Sequence, residues 1–404
     1  MATIRPFAAL RPKAELAAQV CELPYDVMSS DEARVMAEGN PLSFLHVSKP
    51  EIDLVPGTDV YSDEVYAKGA ENLQKLIADG ALYQDDKPCY YLYRQIMGEH
   101  SQVGLVAVSS CDEYNRNIIK KHEFTRPQKE DDRVRHMEAL SSQTGPVFLT
   151  YKSVAAMDEF VAKKTAEAPA VDFTAADDVR HTAWVVSEDS EIDFISGQFE
   201  MIPNTYIADG HHRSAAAGRV FESRNGEGQS PWFLTVIFPH DQMQILAYNR
   251  AMKNLNGNSP AELLEKLGAV FDVEEGGAAT PGKKHDLGFY LEGKWYGLTF
   301  KSELTATDDP FESLDVSLLQ KHVLTPIFNV DDPRTSEDIA FIGGIRGTGE
   351  LEKIVDCGDF ACAFSMYPTS IENLMAIADN DGVMPPKSTW FEPKLRDAMF
   401  CHML

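Results

Sequence analysis

The chain has 404 residues, 44% hydrophobic and 25% charged, an ordinary globular usage that excludes a disordered or fibrous chain. Its length exceeds one ordinary domain. With 37 basic against 63 acidic residues the net charge is −26, which repels phosphate backbones and anionic membranes and argues against nucleic acid as the main partner. A local basic pocket for a small anion remains compatible with that balance.

The six cysteines are scattered, with no C-x-x-C pair. They read as reduced thiols of a cytoplasmic protein. No apolar stretch follows Arg5 as in a signal peptide, and no run approaches the ~20 residues of a membrane span.

The elements read as mixed α and β. Residues 61–80 show helical spacing that ends at Gly80, and 89–95 and 103–109 read as strands. A helix is expected over 127–143, opened by Pro127 and stopped by Gly145-Pro146. Short strands follow at 147–151 and 181–186. The stretch 204–208 is a strand, Asp209-Gly210 a turn, and 211–224 a helix. Strands are expected at 232–238 and 244–248. A helix over 259–270 starts with the cap Ser259 and Pro260. Residues 276–284 form a loop, and 287–291 with 295–301 a hairpin around Glu292-Gly293. The remainder mixes helices with Gly-rich turns. The expected segments are 1–110, 111–254, 255–310 and 311–404.

Three clusters carry chemistry. In the first, Asp209, Gly210, His211, His212 and Arg213 lie where a strand turns into a helix. Free N–H groups and the helix dipole favour an anion there, and Arg213 adds a planar fork for phosphate oxygens. Asp209 is a candidate metal ligand. The plainer reading is a capped helix with two structural histidines.

In the second, Lys120 to Arg126 (KKHEFTR) reverses the sign of the chain's charge. Glu123 is a candidate general base, with His122 beside it and Arg126 as a candidate substrate contact. A zinc-protease motif is excluded, because Arg126 stands where H-E-x-x-H needs its second histidine. A solvated loop of alternating charge is the alternative. In the third, Lys387, Ser388 and Thr389 are candidate phosphate contacts, together with Lys394. A P-loop is excluded because Pro385 and Pro386 lack the N–H groups such a loop needs. A rigid turn packing Trp390 and Phe391 is the competing reading.

These residues carry a resemblance. The run Ile207 to Arg213 (IADGHHR) resembles the phosphate-binding turn of the ParB/sulfiredoxin-like fold. The whole chain resembles the domain-of-unknown-function family 1015. The matching stretches are Ile4 to Phe7, Pro24 to Val27, Asn40 to Asp53, Lys121 to Thr125, Gly145 to Phe148, Asp209 to Arg213 and Met384 to Lys394. The resemblance extends to free-serine kinases of that fold. It implies a ParB/sulfiredoxin-like core at 111–254, flanked by further α+β regions, with the C-terminal region completing the site. It also implies phosphoryl transfer to L-serine from pyrophosphate, ADP or ATP, with Mg²⁺ and no organic cofactor. His122 and Glu123 then supply the catalytic base and Asp209 to Arg213 the phosphate turn, with Arg250 a candidate substrate contact. This chain has Tyr248-Asn249-Arg250 where the family often has Tyr-His-Arg. The rival readings are a non-catalytic nucleotide sensor and a sulfiredoxin-like redox enzyme. The second is disfavoured because no cysteine lies between Cys111 and Cys357. Oligomeric state stays open, and a homo-oligomer is compatible with everything above.

Overall fold

A computed structural model describes residues 1–404. It is a mixed α/β structure that divides into two compact units, one of residues 1–243 with 393–404, the other of 244–392. The expected segments 1–110 and 111–254 do not stand apart, because strands from both interleave in one sheet. Likewise 255–310 and 311–404 share the sheet of the second unit.

The first unit is built on nine strands. In chain order they are β1 (Ile4–Arg5), β2 (Tyr90–Met97), β3 (His100–Ser110), β4 (Ile119–Lys120), β5 (Val147–Tyr151), β6 (Val171–Thr174), β7 (Arg180–Val186), β8 (Thr205–Asp209) and β9 (Trp232–Pro239). They lie in the order β4-β8-β5-β9-β3-β2-β7-β6, with β1 paired to the end of β3. The pairs β8–β4 and β5–β9 are parallel, and the others antiparallel. Every residue of β5 is buried, as expected of an apolar strand covered on both faces. Leu92, Leu105, Leu149, Ile207 and Ile237 form the centre of the core.

The longest helices of this unit are α1 (Asp63–Ala78), α2 (Pro127–Leu140), α3 (Ala155–Lys164), α4 (Asp189–Glu200) and α5 (His211–Ser223). Helix α2 ends three residues before the expected stop. Ser141 turns left-handed (φ 46°), and Ser142–Gln143 pair with His402–Met403. Helices α3 and α4 were not expected. Their fully buried apolar residues are few, Met157 in one and Ile195 and Phe199 in the other, too thin a stripe to show as period 3.6. The last twelve residues return to this unit, where Ala398 N–H donates to Thr144 and Leu404 N–H to Ser141.

The second unit has six strands, β10 (Tyr248–Met252), β11 (Phe271–Glu275), β12 (Asp286–Leu291), β13 (Lys294–Phe300), β14 (Ile339–Gly343) and β15 (Cys362–Ser365). Their order is β11-β13-β12-β15-β10-β14, all antiparallel. The hairpin expected around Glu292-Gly293 is present as β12–β13. The single strand expected over 244–248 is divided: Ile245–Leu246 pair with Trp390–Phe391, while β10 begins at Tyr248. Ala247 between them accepts from Gly344 N–H, so the backbone changes partner there. Helix α6 (Pro260–Gly268) starts at a complete capping box between Ser259 and Glu262.

Candidate active site

Strand β8 ends at Asp209 against a register break with β5. Gly210 follows at φ 96° and caps α5. A Cβ there would lie 3.1 Å from Arg213 Nε, so only glycine allows both the positive φ and the close approach of the guanidinium. The turn thus points the first residues of α5 into the protein. His211 and Arg213 are buried, 6% and 5% exposed.

Arg213 donates to the Pro146 carbonyl and to Asp209 Oδ2, the latter at 3.2 Å. Its Nε is buried with no hydrogen-bond partner. Lys394 Nζ stands 3.8 Å from the same Asp209 carboxylate. Desolvation would raise the Asp209 carboxyl, but Lys394, Arg213, His211 and the Gly210 backbone together hold it well below the usual carboxylate range. Asp209 is therefore ionised and shared between two cations, which compete with any Mg²⁺ for it.

The loop before α2 brings the second cluster to this turn. His122 is 2% exposed. Its ring meets that of His211 edge to face, with centroids 4.5 Å apart. Glu123 Oε2 lies 3.8 Å from His211 Nδ1, and the Glu123 side chain is 44% exposed. Burial pulls the His122 imidazole down to about 4, opposed by the Ile207 backbone and Asp209. The Ile207 backbone approaches without completing a hydrogen bond: neither His122 nitrogen has a partner, nor has His211 Nε2. Burial, and then the His122 ring, hold His211 well below its ordinary value. Both rings are therefore neutral at neutral pH. His212 accepts from the Arg126 backbone N–H at 3.1 Å, so its Nε2 carries no proton in this arrangement. The Arg126 side chain itself is exposed.

Two groups that sequence reasoning missed complete the surroundings. Asp397, from the C-terminal tail, is 3% exposed. Burial pushes its carboxyl up to about 7, with Arg213 opposing and Asp26 reinforcing the shift. A Cβ on Gly145 would lie 2.5 Å from Asp397 Oδ1, which explains a glycine before Pro146. Arg133 stacks on the Tyr25 ring at 3.7 Å and pairs with Asp132 at 2.8 Å. The stretch Pro24 to Val27 signalled Tyr25 and Asp26. Nothing local signalled Asp397, which reaches the site only through the returning tail.

Arg250, Lys387, Ser388 and Thr389 belong to the second unit. Arg250 is 3% exposed; burial pulls its guanidinium down to about 10. It donates to the carbonyls of Tyr248 and Lys387 and lies 5.1 Å from the Phe341 ring centroid. Asn249 accepts from Met366 N–H at 3.0 Å, a structural bond that an amide makes readily. The Ser388 hydroxyl donates to Pro385 at 2.6 Å. Its proton therefore holds the proline turn together. Lys387 is exposed, with its Nζ 5.5 Å from the Tyr248 ring centroid.

Among solved structures, the chain is similar to a free serine kinase in complex with AMP, at 14% identity over 71% of this chain and 86% of that one, with a TM-score of 0.35. It is similar to a conserved hypothetical protein from Pyrococcus furiosus, at 14% identity over 73% and 93%, TM-score 0.35. It is also similar to SbnI with a C-terminal truncation from Staphylococcus aureus, at 10% identity over 72% and 85%, TM-score 0.39. No curated protein matches it. A family model described as a protein of unknown function, DUF1015, matches residues 4–317. The chain belongs to the DUF1015 family.

Proposed function

We propose that this protein is a small-molecule kinase that transfers a phosphoryl group to the hydroxyl of free L-serine. One observation carries the reading. A partly exposed carboxylate, Glu123, stands 3.8 Å from a helix start whose buried Arg213 Nε has no partner. A base and an unsatisfied anion-binding group in one place are what phosphoryl transfer to an alcohol requires.

In this reading the N–H groups at the start of α5 and the Arg213 guanidinium bind the transferring phosphoryl group and offset its charge. Glu123 accepts the serine hydroxyl proton. A bond forms between the serine oxygen and phosphorus as the bond to the leaving phosphate oxygen breaks. The products are O-phospho-L-serine and the donor shortened by one phosphoryl group. Pyrophosphate, ADP and ATP are the donors to compare. Mg²⁺ would neutralise donor charge when bound, with Asp209 shared between Arg213 and Lys394, and no step here depends on it. Arg126 remains a proposed substrate contact in the first unit; Lys387 and Thr389, for a phosphate, and Arg250, for substrate, remain proposals within the second unit.

The test gives full-length protein L-serine, Mg²⁺ and each donor in turn, and follows O-phosphoserine. Turnover with one donor, reduced about 10²–10⁴-fold in Glu123→Gln while donor binding persists, is the expected result. Donor binding without product from any donor would overturn the kinase and leave a ligand sensor.

A further inference from the structure

We propose that His122, Glu123 and His211 form a binding site for a borderline divalent metal ion of the Zn²⁺ or Co²⁺ type, separate from any Mg²⁺ that accompanies a phosphate donor. One ligand atom from each of the three residues lies within 4.8 Å of the others. In a tetrahedral zinc site, ligand atoms about 2.0–2.2 Å from the metal stand roughly 3.3 Å apart. A modest closing movement therefore suffices, and the Glu123 side chain is 44% exposed.

The nitrogens supply the independent observation. Both ring nitrogens of His122 and the Nε2 of His211 are buried and have no hydrogen-bond partner. Buried polar atoms are nearly always satisfied, so three orphaned nitrogens on two touching rings call for a ligand. Each neutral ring keeps one lone-pair nitrogen, which repels an anion such as phosphate and can be satisfied by a cation. Two imidazoles and one carboxylate select borderline ions over Mg²⁺, which prefers an octahedron of oxygens. The two nearby cations, Arg213 and Lys394, are turned toward Asp209.

Metal binding does not rest on the kinase reading, but one consequence does. A metal bound at Glu123 occupies the lone pair that would take the serine proton. Zn²⁺ at one equivalent then suppresses phosphorylation, and a chelator restores it.

The test titrates the full-length, tag-free chain with Co²⁺, whose visible ligand-field band reports coordination, and then displaces it with Zn²⁺. One equivalent is expected. Glu123→Gln and His211→Asn should each weaken binding by at least the ~10–100-fold that loss of an outer-shell partner already costs. Cys357→Ser, which removes the exposed thiol, should leave binding unchanged. Glu123→Gln is decisive if His211→Asn fails to fold, because the Glu123 side chain is partly exposed. No saturable band, equal affinity in Glu123→Gln, or loss of the band in Cys357→Ser would overturn the proposal. A band in protein that makes no O-phosphoserine even when metal-free would overturn only the kinase.

Discussion

At the scale of single residues, the candidate site depends on two places where no side chain fits, Gly210 and Gly145. Gly210 combines φ 96° with a guanidinium 3.1 Å from where a Cβ would be. Gly210→Ala therefore costs strain from the left-handed backbone, about 1–2 kcal/mol, and pushes Arg213 from the Asp209 carboxylate. Chemical denaturation is expected to show that loss, with a larger fall in affinity for inorganic phosphate. Asp397 shows the opposite situation, a buried acid tolerated beside the site. Its carboxyl is raised from 3.8 to about 7, so the folded state holds the proton more tightly than the unfolded chain. That contribution to stability is full below pH ~4 and is lost as pH rises to ~7. Asp397→Asn should therefore raise Tm relative to wild type at pH 8, by up to about 4 kcal/mol of stability, and should lose the advantage at pH 4. An advantage independent of pH would show that Asp397 is ionised throughout.

At the scale of elements, α5 approaches the sheet through small side chains. Ser214, Ala215, Ala216, Ala217 and Gly218 are all buried. That run puts the helix start, with its free N–H groups, against the end of β8. In the second unit, α6 has the clearest local start. The Ser259 hydroxyl accepts from Glu262 N–H, and the Glu262 carboxylate accepts from Ser259 N–H at 2.8 Å. Ser259→Ala should destabilise the second unit by ~1 kcal/mol, read as faster amide exchange in α6 than in α5. Equal exchange in both helices would mean that packing of Leu263 and Leu267, rather than the cap, holds α6.

At the scale of the whole molecule, the buried histidines set the response to acid. Burial pulls His136 and His402 down to about 4, and holds His181 well below its ordinary value. The unfolded chain binds protons at these positions from about pH 6.5, so the stability they provide is present above 6.5 and is lost as pH falls toward 4. Asp397 acts in the opposite sense over nearly the same window. Together with His122 and His211, these histidines outweigh one carboxyl, so stability should fall between pH 7 and 5. Urea midpoints at the two pH values measure this; a flat profile would show that the imidazoles gain partners on protonation.

Much of the candidate site was legible in the sequence. Asp209 to Arg213 and Lys120 to Arg126 stood out because each concentrates unusual residue types within seven positions, and the helix start at His211 followed from local chemistry. The main strands were legible for the same reason, since alternation and apolar runs are short-range signals. Other features depended on distant partners. That Asp209 faces Lys394, that His122 meets His211 edge to face, and that Asp397 returns beside Gly145 are set by contacts between residues far apart in the chain. So are the division of 244–248 and the early end of α2, where pairing with residues about 150 or more positions away overrides local preference. Local sequence determines which backbone conformations are favoured and which chemistry is available. Burial and charge, which decide what that chemistry can do, exist only once the chain has packed.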